Sequence, residues 1–97
     1  MKAIKTEKAP AAIGPYSQAI EVNGFVFASG QIPLNPATGE FVKGGIKEQT
    51  RQALTNAREI LRTAGLDMSN VVKTSVMLAD IKYFGEMNEV YAEVFNE

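Results

Sequence analysis

The chain switches between two hydrophobic periods, and the switches mark out its elements. After a short strand candidate, "AIKT" (residues 3–6), the segment "EKAPAAIGP" (7–15) is rich in Pro, Ala and Gly and reads as a loop. In "SQAIEV" (17–22) Gln18, Ile20 and Val22 alternate with Ser17, Ala19 and Glu21, the period-2 pattern of a strand. Asn23-Gly24 then gives the strongest short hairpin signal, because a type I′ turn needs positive φ at both central residues. Residues 17–29 are therefore expected to form an antiparallel hairpin. Its second strand, "FVFAS" (25–29), is apolar on both faces, which a sheet with one solvated face does not require.

The segment "PLNPATGE" (33–40) is rich in turn residues, and Gly44-Gly45 precedes a helical segment in which Ala53, Leu54, Ala57, Ile60, Leu61 and Ala64 form one apolar stripe. Gly65 is a natural stop for that helix. The β-branched run "VVKTSVMLA" (71–79) reads as a further strand with Val72, Thr74, Val76 and Leu78 on one face. Asp80 then caps a second helix whose expected buried face is Phe84, Met87, Tyr91, Val94 and Phe95. The predicted order is βββαβα, an α+β fold in a single domain spanning 1–97. Helices flanking one strand pack on one sheet face, so the opposite face needs a cover that no remaining element supplies. A neighbouring subunit is the expected cover.

Size and composition sharpen this picture. A chain of 97 residues buries only about 60–65% of its extended surface, so its own core is thin. Ten Lys and Arg stand against 11 Asp and Glu, for a formal charge of −1, which provides no footprint for nucleic acid. With no cysteine and no histidine, disulfides, thiolate nucleophiles, sulfur-ligated zinc and the usual general base are excluded. No apolar run is long enough to span a bilayer and the N-terminus has no signal-like core, so a cytoplasmic location is the default.

Chemistry must then come from Tyr, Ser, Arg, Lys, carboxylates, amides or backbone. Tyr16 follows the stiff Gly14-Pro15 corner, where its phenol can donate or accept a hydrogen bond to a substrate; the plain alternative is a ring packed under the loop. Ser29-Gly30-Gln31 follows the buried strand, placing a hydroxyl and an approachable backbone N–H toward a pocket. Without a base Ser29 is read as a positioning group, or simply as a strand-ending serine. Asn88 lies beside the apolar stripe of the second helix, in reach of a neighbour or solvated. Lys47, Arg51, Arg58 and Arg62, interspersed with Glu48 and Glu59, read as a solvated flank with pairs at i,i+3 and i,i+4 rather than a binding patch. Lys73 reads as an outward-pointing strand lysine, and "GGIKEQ" lacks the Gly-Lys-Ser/Thr of a phosphate loop.

Taken together, "IGPYSQA" (13–19), "FASGQIPLNPATGE" (27–40), "QTRQALTNAREIL" (49–61) and "MNEVYAEVF" (87–95) resemble, in order and spacing, the Rid family of reactive-intermediate deaminases, also called YjgF proteins. The resemblance runs along essentially the whole chain. It implies a chorismate-mutase-like α+β fold, a homotrimer with its sheets turned inward, and clefts at the subunit interfaces. It also implies hydrolysis of enamines and imines such as 2-aminoacrylate, 2-iminopropanoate and 2-iminobutanoate to 2-oxo acids and ammonia, with neither cofactor nor metal. By that likeness Tyr16 and Ser29 are the expected catalytic groups, with Gly30, Gln31 and Asn88 binding substrate. A small-ligand-binding or chaperone-like trimer without turnover is the alternative. An endoribonuclease or translation inhibitor also travels with the family's naming, and the acidic balance and missing histidines argue against it. Family members continue into two further strands bearing a carboxylate-binding arginine and a water-orienting glutamate. The sequence stops at "VFNE" on helical period and is read as C-terminally incomplete.

Overall fold

The computed structural model describes residues 1–14 and 16–95. Three strands, β1 (Lys2–Ile4), β2 (Ala19–Val22) and β3 (Phe25–Ala28), form an antiparallel sheet in the order β1-β2-β3. The hairpin turns at Asn23 (φ 50°) and Gly24 (φ 80°), the two positive angles that a type I′ turn demands. Its register pairs Ala19 with Ala28, Ile20 with Phe27, Glu21 with Val26 and Val22 with Phe25. Directly opposed residues share a face. Ile4, Ala19 and Val26 therefore lie on one side, and Ala3, Ile20, Val22, Phe25 and Phe27 on the other.

Helix α1 (Ile46–Thr63) covers the first side: Ile4, Ala9, Ala19 and Ile60 form the buried cluster, with Val26 and Ala64 packed against it. The second side stays open, and Phe25 and Phe27 are 62% and 64% exposed. The expected uncovered face is thus present. α1 ends in a Schellman motif, with the Leu66 N–H donating to the Leu61 carbonyl (2.8 Å) and the Gly65 N–H to that of Arg62 (3.0 Å).

Helix α2 (Phe84–Val94) runs along α1. Lys47 pairs with Glu89 at 2.6 Å and Arg51 with Glu93 at 3.1 Å, so these two residues of the basic flank bond across to α2 instead of along their own helix as expected. Both partners advance by one helical turn together, so the two helices run parallel. The Glu89 hydrogen bond raises the Lys47 ammonium above its ordinary value. Asp80 caps as expected, its carboxylate accepting from the Lys82 N–H (3.0 Å), though the element it caps is a 3₁₀ turn (Ile81–Tyr83) leading into α2.

Two expectations fail. The buried residues of α2 are Met87 and Val90, while Phe84 is 52% exposed. The 47–89 register places Phe84 level with residues that precede Ile46, beyond the end of α1. The strand expected over 71–79 does not form either: Val72 and Met77 are 92% and 95% exposed. A β-branched run makes a strand only where a ladder partner and a half-buried face exist, and neither β1 nor β3 pairs with it. Its described tethers are the Val71 N–H donated to the Met68 carbonyl (3.1 Å) and the Thr74 hydroxyl hydrogen-bonded to the Tyr91 hydroxyl, whose phenol is pushed up by burial. The α+β class is nonetheless as expected.

The diglycine at 44–45 serves the start of α1. The Gly45 N–H donates to the Glu48 carboxylate (2.9 Å), one half of a capping box. Gly44 has φ 117°, and a Cβ there would stand 2.8 Å from Glu48 Cγ, whereas one at Gly45 would meet nothing closer than 3.8 Å. Gly44→Ala is therefore expected to destabilise the fold by about 1–2 kcal/mol, the cost of a side chain in a left-handed backbone, and Gly45→Ala by clearly less. Urea titration of the two variants checks the difference.

Candidate functional site

The residues singled out from the sequence come from three places: the loop ahead of β2, the chain leaving β3, and the outer surface of α2. The first two are stitched together. The Ser29 N–H donates to the Gln18 carbonyl (2.9 Å) and the Ser29 hydroxyl to the Ser17 carbonyl (2.6 Å), which extends the β2–β3 pairing beyond its regular ladder. Ser29 is thereby held against the residue that follows Tyr16.

Tyr16 is 73% exposed, and its backbone N–H donates to the Gly14 carbonyl (2.9 Å). Its ring rests against Gly14 and is not packed under the loop. Pro15, the other half of the predicted stiff corner, lies outside the described residues. Gly30 is exposed and a Cβ there would have no neighbour within 4 Å, so nothing inside the chain demands glycine at that place. Space in front of its backbone is open. The Gln31 amide folds back to donate to the Ser29 (3.1 Å) and Gly30 (3.3 Å) carbonyls. Asn88 is exposed on α2, and Ser29, through its bonds to the Ser17 and Gln18 carbonyls, stands next to the chain that follows Tyr16.

This geometry limits the chemistry. The Ser29 proton is given to an amide carbonyl, which is far too weak a base to take it, so Ser29 is not an activated nucleophile. Its lone pairs remain free to accept a hydrogen bond from a ligand or a water. Of the α1 arginines, Arg51 is paired with Glu93 and Arg62 with Asp67 (3.5 Å). The Met68 N–H, and after it Arg62, holds the Asp67 carboxyl below its usual range. Among the described residues no group of three or more acidic side chains gathers as a metal site. Lys73 is exposed, in keeping with an outward-pointing residue.

Two amides that were not singled out do much of the positioning. Gln18, 5% exposed, accepts from the Thr6 N–H (2.7 Å) and donates to the carbonyls of Thr6 (3.0 Å), Ala9 (3.2 Å) and Pro10 (2.8 Å), pinning the loop that leads to Tyr16. Asn56, 0% exposed, donates from α1 to the carbonyls of Ile32 (3.1 Å) and Leu34 (2.9 Å), just beyond Gln31. For Asn56 a signal was available: it falls three residues after Ala53 and four before Ile60, on the apolar stripe itself.

The profile of the family described as "Endoribonuclease L-PSP" matches residues 6–97. The chain is 56% identical over 94 residues to a RutC family protein of Pyrococcus abyssi, covering 97% of this chain and 74% of that one. It is 54% identical, again over 94 residues, to a Mus musculus protein named 2-iminobutanoate/2-iminopropanoate deaminase, covering 97% of this chain and 70% of the relative. A solved structure of a Rid-family protein from Yersinia pestis superposes with a TM-score of 0.95 at 46% identity, covering 98% of this chain and 75% of that one. The chain belongs to this family, called L-PSP, YjgF or Rid.

The role of Gln18 has a measurable consequence. Gln18→Leu strands the backbone groups of Thr6, Ala9 and Pro10, and is expected to lower stability by about 1–3 kcal/mol. A protease that cuts after lysine should cleave at Lys8 faster in this variant than in the unaltered protein.

Proposed function

We propose that the protein is a hydrolytic deaminase of reactive enamines and imines such as 2-aminoacrylate, 2-iminopropanoate and 2-iminobutanoate, acting in interface clefts of a homotrimer. The observation that carries this reading is the Ser29 hydroxyl committed to the carbonyl of Ser17 at 2.6 Å, one residue after the exposed Tyr16. Such a pair can orient polar atoms without forming a covalent intermediate. The name of the Mus musculus relative supports the same substrate class.

Imine hydrolysis suits a site of this kind. An enamine becomes an imine by protonation at carbon. Water then adds to the imine carbon and one of its protons passes to nitrogen; the carbinolamine collapses to a carbonyl as its hydroxyl proton also passes to nitrogen, the C–N bond breaks and ammonia leaves. The substrate supplies the electrophile, so the protein needs only to bind, orient water and stabilise developing charge. In this reading Tyr16 and Ser29 hold the reacting atoms, the Gly30 and Gln31 backbone faces the substrate, and Asn88 belongs to the same cleft. Neither metal nor cofactor enters the step. A cytoplasmic setting is part of the reading, since a chain without cysteine needs no oxidising compartment.

The homotrimer is supported by the open sheet face with Phe25 and Phe27, an apolar patch of the kind that marks an interface. A ribonuclease is disfavoured by the engagement of Lys47, Arg51 and Arg62 with Glu89, Glu93 and Asp67, which leaves those cations poorly placed for phosphates.

The test is ammonia release from an imine made in place by an amino-acid dehydratase. Adding the protein is expected to speed it; no acceleration would point to a binding protein without turnover. Tyr16→Phe and Ser29→Ala should each slow turnover by about twofold to 150-fold, the kinetic equivalent of losing ~0.5–3 kcal/mol of hydrogen bonding. Light scattering on the eluting protein should give a trimer's mass for the unaltered chain and both variants. A monomer at micromolar concentration would refute the assembly.

A further inference from the structure

Asn56 is the one polar residue among the largest fully buried side chains of the described chain. Its amide donors are both used, on the Ile32 and Leu34 carbonyls, and its oxygen accepts from the Gln52 amide (2.8 Å). An apolar residue here would join the stripe of α1 more cheaply but would leave two carbonyls stranded. The segment from Ser29 to Leu34 lies outside the regular ladder of β3. One end is tied to Ser17 and Gln18 through Ser29. Asn56 ties the other end. Gly30 and Gln31 hang between these anchors, and in front of Gly30 the space is open.

We propose that Asn56 is a positioning residue: acting through the Ile32 and Leu34 carbonyls, it sets where the Gly30-Gln31 backbone stands in the site, while Gln52 fixes which way its amide faces. The kinetic side of this claim rests on the deaminase reading; the structural side does not. Backbone dipoles that are already oriented act on charge that develops during reaction. Loosening them lowers kcat and, because the same backbone faces the substrate, kcat/KM as well.

The test compares Asn56→Leu, Gln52→Ala and, as a control, Ile60→Val, which disturbs the core from the same helix without touching the loop. Asn56→Leu is expected to speed hydrogen exchange at the Leu34 and Val42 amides, which are hydrogen-bonded to the Ile32 and Pro33 carbonyls, and to lower kcat and kcat/KM by about tenfold to a hundredfold, the range produced by misplacement on the ångström scale. Gln52→Ala should shift both readouts in the same direction by less. Ile60→Val should alter neither. Unchanged exchange in a folded Asn56→Leu protein would overturn the proposal, as would an equal loss of kcat in Ile60→Val at matched melting temperature. Should Asn56→Leu fail to fold, the exchange contrast between Gln52→Ala and Ile60→Val decides the matter. Absence of ammonia release from the unaltered protein would refute the deaminase reading alone, because the exchange measurement needs no substrate.

Discussion

A loop that leaves a sheet carries its peptide groups with it, and each must find a partner or remain in water. Here the partners are two side-chain amides, Gln18 from β2's approach and Asn56 from the middle of α1. An amide has the same donor and acceptor as a peptide bond, so it can stand in for a missing strand neighbour at a single point. The regular sheet is small and its strands are short. Without these two residues the loop before β2 and the segment after Ser29 would each lose a buried anchor, leaving Ser29 held by its bonds to Ser17 and Gln18 alone.

The helices add a second level of order on top of that arrangement. α1 contributes Ile60 and Ala64 to the sheet side and Asn56 to the loop, so one element both closes the core and addresses the site. α2 is held to α1 by exposed ion pairs and by Met87 and Val90. Exposed pairs of that type specify register more than they contribute stability. They fix where along α1 the second helix lies, and hence which part of the surface carries Asn88.

Features encoded by near neighbours were legible in the sequence. The Asn23-Gly24 turn, the apolar stripe of α1, its stop at Gly65 and the Asp80 cap each depend on a few adjacent residues, and each is found. What was illegible depends on partners distant in sequence. Residues 71–79 have the composition of a strand, but a strand exists only where another backbone meets it, and composition does not say whether one does. Phe84 follows the apolar period of its helix and fails to be buried because the facing helix begins too late to cover it. Asn56 falls on the buried stripe of α1 and Gln18 keeps the period of Ile20 and Val22 on the open face, yet for both the reason a buried polar group belongs there lies in loops whose paths no local pattern predicts. The basic flank of α1 was read as self-paired because its spacing fits, yet Lys47 and Arg51 find their partners 42 positions further along the chain and Arg62 finds Asp67 just past the helix end. For the site, the stitching of Ser29 to Ser17 and Gln18 depends on pairing across the hairpin and was legible as far as the hairpin itself was.

The aromatic face of β3 carries a thermodynamic consequence of its own. Phe25 and Phe27 are as much part of the sheet as Ile4 and Ala19, but their burial is not completed within the chain. Anything that binds the folded sheet there, and not the unfolded chain, draws the folding equilibrium toward the native state by RT ln(1 + [L]/Kd). Melting temperature then ceases to be a fixed property of the sequence. Where the cover is a second copy of the chain, diluting a sample and weakening its core become two routes to the same loss.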